Sequence, residues 1–279
     1  MSKKLKPIII PEKRKVFLEK VIYHKKEAVG MPFYQVIPNK LNEKHGLIVV
    51  AHGGGFCKGH KQADLFFATM IADKTGYEVW DVDYKLAPQY PYPAAFNQIY
   101  DLVKYAYQNA VKLNFDQNDL ILMGNSAGGN LVIAAALKAN QTQDFKVKLL
   151  NANYPPLDLA TDPADKPEAE KSYIPYACSR EYNRMYADAD AARTPYVSPV
   201  RASEKMLAGF PQLLMITAGQ DALHNEGEDF AFKCMIAGSL VTIKKFEHSE
   251  HSFMVNCLGD EWQDACALVV RTINNLHRK

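Results

Sequence analysis

The sequence predicts an α/β protein with a mostly parallel sheet covered by helices. Short apolar runs alternate along the chain with longer segments of helical period, which is the pattern such a sheet produces. The 279 residues suffice for one or two domains, and 48% hydrophobic with 23% charged residues is ordinary for a globular protein. Disordered, collagen-like and disulfide-stapled chains are excluded. Because no repeat, low-complexity tract or interdomain linker occurs, we expect a single domain over residues 1–279.

The N-terminal elements open the predicted sheet. Residues 16–24 and 32–37 are expected to form an antiparallel pair of strands. Residues 46–51 are continuously apolar, as a buried strand should be. Residues 63–75 place their large apolar side chains on one stripe, which predicts a helix. Residues 77–83 are predicted as the next strand.

The remaining elements continue the alternation. Residues 94–113 are predicted as one long helix, and residues 120–123 as a strand that runs into Gly124. Residues 127–139 are rich in Ala and Leu, which predicts a buried helix. Residues 147–153 are predicted as a strand. The chain is expected to close as strand, helix, strand and helix over residues 211–217, 226–237, 241–246 and 260–276.

One stretch, residues 155–199, interrupts this rhythm. It is rich in Pro and acidic residues, and it is far longer than the 2–6 residues of an ordinary connection between a strand and a helix. Long insertions commonly serve as lids or binding elements, although a plain surface excursion is the alternative. Its middle is rich in tyrosine, at positions Tyr173, Tyr176, Tyr182, Tyr186 and Tyr196. Because clustered aromatic side chains need something to cover, we expect a lid.

Charge and cysteine content exclude several classes of protein. Lys and Arg total 33 against 31 Asp and Glu, so no overall basic surface for nucleic acid is expected. Residues 1–26 hold nine Lys or Arg against two Glu, which indicates a solvated segment, with a membrane or nucleic-acid arm as the alternative. The five cysteines form no CxxC pair, and free thiols suit a reducing compartment. No apolar run is long enough for a signal peptide or a membrane span, so we expect a cytoplasmic protein without membrane association.

The segment Gly-Asn-Ser-Ala-Gly at residues 124–128 lies between a predicted strand and a predicted helix. That context is the one in which a GxSxG nucleophile elbow presents a reactive serine. Glycines flank the serine because a Cβ there would collide with the neighbouring strand or helix. The free N–H groups at the start of the helix point at the serine, Ser126. A Gly/Ser turn that merely caps the helix is the alternative interpretation.

A second glycine-rich segment, His-Gly-Gly-Gly-Phe at residues 52–56, follows the predicted buried strand at residues 46–51. Three consecutive glycines are costly in conformational entropy. They are useful where the backbone must approach a ligand and offer N–H groups to an oxyanion. We expect His52 to hold this loop by hydrogen bonding rather than to act in catalysis.

An acid and a histidine follow the serine in the order Ser, Asp, His that a hydrolase triad of this type requires. Asp221 comes directly after the predicted strand at residues 211–217. His248 and His251 follow the predicted strand at residues 241–246. Catalytic groups of open α/β sheets lie at the carboxyl ends of strands, so both loops qualify. A histidine pair in a polar surface loop is the alternative.

Taken together, these motifs resemble the hormone-sensitive-lipase-like, HGGG-motif carboxylesterases of the α/β-hydrolase fold. The resemblance runs in family order over roughly residues 46–255 and includes residues 52–55, 83–88 (Asp-Tyr-Lys-Leu-Ala-Pro), 124–129, Asp221 with Leu223, Glu226-Gly227, and His251 with Phe253. It implies an eight-stranded, mostly parallel sheet flanked by helices, with a small cap from about residues 1–30 and 155–200.

The resemblance also implies roles for particular residues. Ser126 would be the nucleophile, Asp221 the acid and His251 the base, because only His251 has the aromatic neighbour of the family's arrangement. The family's oxyanion hole would map to the backbone N–H groups of Gly54, Gly55 and Ala127. Departures from the family pattern occur at four positions where other residues are usual, namely Gln89, Asn125, Ala222 and Ser252.

We therefore expect a carboxylesterase of the acetylesterase type that hydrolyses small, short-chain acyl esters through an acyl-enzyme, with no cofactor and no metal. An enzyme that uses the same triad on an amide, formamide or lactone is one alternative, and a non-catalytic ligand-binding protein on a hydrolase scaffold is another. The expected partner is a small ester rather than nucleic acid or membrane, and a homodimer stays open. Candidate pocket residues are Phe56, Tyr84, Asn125, Tyr182 and Tyr186.

Overall fold

The computed structural model describes residues 22–42 and 45–277 of the chain. Eight strands form one sheet in the order β1-β2-β4-β3-β5-β6-β7-β8. Only the pairings of β1 with β2 and of β2 with β4 are antiparallel, and the other five are parallel. The strands are Ile22–Ala28, Met31–Ile37, Leu47–Ala51, Glu78–Val82, Leu120–Asn125, Leu149–Asn153, Gln212–Ala218 and Val241–Phe246. The predicted sheet is thereby confirmed.

The first two strands form a tight hairpin. Val29 and Gly30 connect them with φ angles of 49° and 72°, which is the twist that two-residue hairpin turns require. Residues 1–30 were expected to contribute to the cap, but residues 22–28 form β1 at the sheet edge instead, because their backbone pairs with β2. Residues 1–21, including the start of the predicted strand 16–24, lie outside the described residues.

Helices cover both faces of the sheet. Alternate residues of a strand point to opposite faces, so Leu47 and Val49 join one core cluster while Ile48 and Val50 join the other. We number the helices of the described residues α1 to α10: Gln62–Thr75, Ala94–Gln108, Ala110–Leu113, Ala127–Thr142, Tyr176–Tyr186, Ala189–Ala192, Glu204–Leu207, His224–Ile236, Phe253–Asn256 and Trp262–Asn274. Helices α2, α4 and α8 pack on the first face, and α1, α9 and α10 pack on the second.

The predicted helix at residues 94–113 is interrupted. Helix α2 ends at Gln108, and α3 begins at Ala110. Between them, the Asn109 side chain donates a hydrogen bond to the carbonyl of Tyr105 (2.8 Å). An asparagine that bonds to nearby backbone competes with regular helix geometry, which explains the break. Across residues 22–42 and 45–277, no helix combines the length and apolar composition needed to cross a membrane.

The long insertion lies across the glycine-rich segment that follows β3. Its helix α5 brings the Tyr186 ring onto the Phe56 ring, with centroids 3.8 Å apart and planes 9° from parallel. The Tyr92 N–H donates to the Tyr186 carbonyl (2.7 Å). The insertion is thereby packed against the segment at residues 52–58 at the carboxyl end of the sheet.

Candidate active site

Ser126 sits in a strained turn between β5 and α4. Its φ of 53° and ψ of −123° lie outside the ordinary regions for a residue with a Cβ. The turn is possible because its neighbours are glycines: a Cβ on Gly124 would fall 2.3 Å from the Gly128 carbonyl oxygen, and a Cβ on Gly128 would fall 2.1 Å from that of Ala51. Close backbone packing on both sides of the serine therefore requires glycine at both positions of the predicted nucleophile elbow.

His251 bridges Ser126 and Asp221. Its Nε2 lies 2.8 Å from Ser126 Oγ, and its Nδ1 lies 2.6 Å from Asp221 Oδ2. All three residues are buried, with 6%, 3% and 1% of the surface of Ser126, His251 and Asp221 exposed. Because a carboxylate only accepts, Nδ1 carries the proton, which leaves the Nε2 lone pair for the serine hydroxyl. The structure thus brings together three side chains from a stretch of sequence in which Ser126 and His251 are 125 residues apart.

Two neighbouring strands deliver the acid and the histidine. Asp221 follows β7, and His251 follows β8, which is paired in parallel with β7. A Cβ on Gly219 would lie 2.6 Å from the Glu247 carbonyl oxygen, so the glycine allows the two loops to touch. His248 is exposed and its side chain is not part of the triad. Of the two candidate histidines, the geometry selects His251.

The glycine-rich loop passes beside Ser126. A Cβ on Gly53 would fall 3.2 Å from Ser126 Cβ, so the loop passes directly beside the side chain. Gly54 and Gly55 have φ angles of 133° and 59°. In the part of the chain that the structure describes, the N–H groups of Gly54, Gly55 and Ala127 have no hydrogen-bond acceptor. Free N–H groups beside a nucleophile are the donors that an oxyanion requires.

His52 supports this glycine-rich loop through its side chain. Its Nδ1–H donates to the carbonyl of Gly53 (2.7 Å), and its ring stacks on Tyr84 with centroids 4.2 Å apart. Burial lowers the pKa of His52 to about 3, so the imidazole stays neutral. The Tyr84 hydroxyl donates to the carbonyl of His52 (2.9 Å). His52 therefore has the structural role that the sequence predicted.

The predicted substrate pocket needs correction. Phe56, Tyr84, Asn125 and Tyr186 are each no more than 2% exposed, so they present almost no surface to a ligand. Phe56 turns inward through a φ of 62° and stacks on Tyr186, while Tyr84 lies under the glycine loop. These four residues support the surrounding structure through buried contacts. Tyr182 alone among the five candidates keeps a partly exposed ring at the site.

Tyr182 lies over the glycine loop. A Cβ on Gly55 would fall 2.6 Å from Tyr182 Cδ2, so only a glycine fits under the ring. The Nζ of Lys58 lies 5.0 Å from the ring centroid on a cation–π contact. In the described part of the chain, no cluster of three or more His, Cys, Asp or Glu side chains is placed to hold a metal ion.

Comparison with known proteins decides the family. A family model for the α/β-hydrolase fold matches residues 48–255. The chain belongs to the α/β-hydrolase fold family. An arylesterase of Saccharolobus solfataricus is 30% identical over 218 residues, which cover 75% of this chain and 69% of that protein. An ethyl acetate hydrolase of Pseudomonas putida is 27% identical over 230 residues, which cover 81% of this chain and 72% of that protein.

Solved structures agree with the family. A hyperthermophilic esterase from the archaeon Pyrobaculum calidifontis superposes with a TM-score of 0.83 at 25% identity, over 95% of this chain and 90% of that one. The hydrolase spans 64% to 69% of the length of four curated relatives, the arylesterase among them. The resemblance drawn from the motifs is confirmed, and so is the predicted enzyme class, a carboxylic ester hydrolase.

The motifs did not reveal a row of buried amides beneath the serine of this hydrolase. Asn153 donates to Asn125 Oδ1 (2.9 Å) and accepts from Asn151 (3.0 Å), while the Ser126 N–H donates to the Asn153 carbonyl (2.9 Å). Asn151 and Asn153 belong to a strand in which all five residues are buried. Two asparagines in a predicted buried strand are the signal that could have located this network.

A buried carboxylate links the insertion to the acid loop. Glu226, in the first turn of α8, accepts hydrogen bonds from the N–H groups of Leu157 (2.7 Å) and Asp158, and pairs with Lys166 Nζ (2.8 Å). Burial raises the pKa of Glu226 even though the Lys166 ammonium opposes that shift. Glu226 thus connects the start of the insertion with the helix that follows Asp221.

Proposed function

We propose that this hydrolase is a serine carboxylesterase for short-chain acyl esters, with Ser126 as nucleophile, His251 as base and Asp221 as acid. One observation carries the proposal: the continuous line of hydrogen bonds from Ser126 Oγ through His251 to Asp221, at 2.8 Å and 2.6 Å. The glycine loop that passes beside Ser126 and the N-terminus of α4, which begins at the next residue, carry N–H groups without an acceptor among the described residues.

Acylation follows from this arrangement. A serine hydroxyl is a weak nucleophile at its ordinary pKa, so it needs a base at the moment of attack. His251 Nε2 accepts the Ser126 proton as Oγ attacks the ester carbonyl, and Asp221 stabilises the imidazolium through Nδ1–H. His251 then donates that proton to the departing alcohol. The acyl group stays on Ser126 Oγ as an ester.

Deacylation repeats the same proton transfers with water as the nucleophile. The negative charge of each tetrahedral intermediate develops on the former carbonyl oxygen. We assign its stabilisation to the N–H groups of Gly54, Gly55 and Ala127, which are held by the backbone and need no reorganisation. The partial positive charge at the N-terminus of α4 adds to this field.

The surroundings of Ser126 favour a short acyl chain. The insertion, which we propose as a small cap, places the Tyr182 ring against Gly55. A ring at this position, beside the loop that passes Ser126, would limit the length of an acyl chain.

The names of relatives point the same way. One is an ethyl acetate hydrolase of Pseudomonas putida, and another is a putative acetyl-hydrolase of Mycobacterium tuberculosis, 25% identical over 259 residues. We propose acetyl to butyryl esters of small alcohols as substrates of this chain. The five cysteines are all free, which fits a cytoplasmic location.

A chain-length series tests the proposal. Wild type and Ser126→Ala are assayed on p-nitrophenyl esters from acetate to decanoate and on the matching anilides. We expect kcat/KM to be highest between acetate and butyrate, to fall steeply by octanoate, and to be far lower on the anilides. Loss of Ser126 should lower kcat by several orders of magnitude. A preference for decanoate or for the anilides would overturn the substrate assignment, and an active Ser126→Ala variant would overturn the mechanism.

A further inference from the structure

The loop that carries His251 is bound on one side by the acid loop. It runs over residues 247–252, between β8 and α9. The Gln220 N–H donates to the Ser249 carbonyl (2.9 Å), and the Gln220 side chain donates to the Glu247 carbonyl (2.9 Å). Since Gln220 precedes Asp221, these bonds connect the acid directly to the histidine loop.

On its other side the histidine loop is bound by Glu261. A single carboxylate oxygen, Oε2, accepts hydrogen bonds from the His248 N–H (3.0 Å) and from the Ser249 hydroxyl (2.6 Å). Glu261 is the residue before α10, and its carbonyl accepts the Ala265 N–H of that helix (3.0 Å). Helix α10 is anchored in the core by buried residues, namely Ala265, Cys266, Val269 and Ile273. The Glu261 carboxylate is therefore attached to the start of a helix that is fixed in the core.

Ser249 connects the acid-loop side of the histidine loop with its Glu261 side. Its carbonyl bonds to Gln220, its hydroxyl bonds to Glu261, and its own N–H donates to the Phe246 carbonyl (3.2 Å) at the end of β8. Only 5% of its surface is exposed, so its hydroxyl depends on Glu261 rather than on solvent. His251 lies two residues further along the chain.

We infer that Glu261 and Ser249 are positioning residues for the His251–Asp221 pair, an inference that rests on the proposed function. The imidazole has to meet Ser126 and Asp221 at the same time, at 2.8 Å and 2.6 Å. A displacement of about 1 Å in a catalytic group can lower a rate about a hundredfold. Removing the carboxylate frees the side of the loop that faces α10, and the loop is then held by the acid loop and by its own backbone bonds, such as the one from the Ser249 N–H to the Phe246 carbonyl.

Four single variants and one double variant test this role. Glu261→Ala removes the acceptor, Glu261→Gln keeps an oxygen that can accept both bonds, and Ser249→Ala removes the hydroxyl donor. Glu250→Gln changes an exposed carboxyl in the same loop and serves as the matched control. The measurements are kcat and KM on p-nitrophenyl acetate and the thermal unfolding midpoint. Glu261→Ala combined with Ser249→Ala measures the coupling between the two residues.

We expect Glu261→Ala and Ser249→Ala each to lower kcat about ten- to a hundredfold, with KM within about twofold of wild type. Glu261→Gln should recover kcat to within about threefold, Glu250→Gln should match wild type, and the double variant should be little slower than Glu261→Ala. A purely structural role would lower the unfolding midpoint while the folded protein kept its kcat, and that result would overturn the inference. So would a Glu261→Gln variant as slow as Glu261→Ala. An inactive Ser126→Ala with a fully active Glu261→Ala would leave the proposed function standing and refute the positioning role alone.

Discussion

Replacing Gly54 by alanine should disable the oxyanion donors while leaving the fold in place. Gly54 has a φ of 133°, a conformation that residues with a Cβ rarely adopt. An added Cβ would also fall 2.5 Å from the Lys58 carbonyl oxygen, which is backbone and cannot swing away. The loop must therefore move, and the Gly54 N–H moves with it.

The size of the effect can be estimated. Strain of this kind costs about 1–3 kcal/mol, which for a domain of this length lowers the unfolding midpoint by roughly 2–12 °C. Loss of one oxyanion donor costs about 2.7–4 kcal/mol in transition-state stabilisation, or roughly 10²–10³ in kcat. The free-energy cost to the transition state should accordingly equal or exceed the cost to the folded state, so the folded variant should still show a large loss of kcat.

Gly59 offers the matched control. It lies in the same loop, its φ is not in the left-handed range, and an added Cβ would make only an ordinary contact of 3.5 Å with Leu86 Cδ1. Both variants are assayed on p-nitrophenyl acetate together with thermal unfolding. Gly59→Ala should behave like wild type. A Gly54→Ala variant with kcat within about threefold of wild type would refute the assignment of this loop to the oxyanion hole.

Three further predictions follow from the site and the insertion. His251→Ala should be inactive while His248→Ala, which keeps its backbone N–H, should retain wild-type kcat; the reverse result in the same assay would mean that the histidine was assigned wrongly. Tyr182→Ala should shift the optimum of the p-nitrophenyl ester series to longer chains by removing the ring over Gly55, and an unchanged chain-length profile would show that Tyr182 does not limit the pocket. The pKa values of Glu168 and Asp162 are lowered to about 2 by hydrogen bonds from Lys171 and Arg180 respectively. Since a lowered carboxyl pKa stabilises the folded state above the ordinary value, this stabilisation should be lost as the pH falls from about 4.5 to 2. Hydrogen exchange within the insertion should then rise before exchange in the sheet does, and equal rates would count against a role for these pairs.

The sheet and the meeting of Ser126, His251 and Asp221 could be predicted largely from local signals. Each strand is a short apolar run, and the carboxyl ends of parallel strands meet at one edge, so the loops that carry Ser126, Asp221 and His251 were expected there. The choice of His251 over His248 came from the resemblance to the family. The glycines on both sides of Ser126 indicated that the backbone packs closely there. The helix break at Asn109 could not be predicted, because it depends on a single side-chain hydrogen bond and the helical pattern of apolar residues continues through it.

The pocket could not be predicted in the same way. Residue size and aromatic character do not reveal which way a side chain turns, and Phe56 turns inward while Tyr182 stays at the surface. The contacts of Glu261 and Asn153 are likewise tertiary. Glu261 meets Ser249 across 12 residues, and Asn153 meets Asn125 across 28. No periodic pattern records such pairs, because each depends on how separate elements are placed in the fold.

The proposed mechanism requires Ser126 to carry the acyl group. Wild type and His251→Ala are treated with a fluorophosphonate, digested, and mapped by peptide mass spectrometry. We expect a single adduct on the peptide that contains Ser126 in the wild-type protein, formed in proportion to the loss of esterase activity, and a labelling rate lower by orders of magnitude in His251→Ala. Labelling of a different residue, or complete loss of activity with Ser126 unmodified, would contradict it.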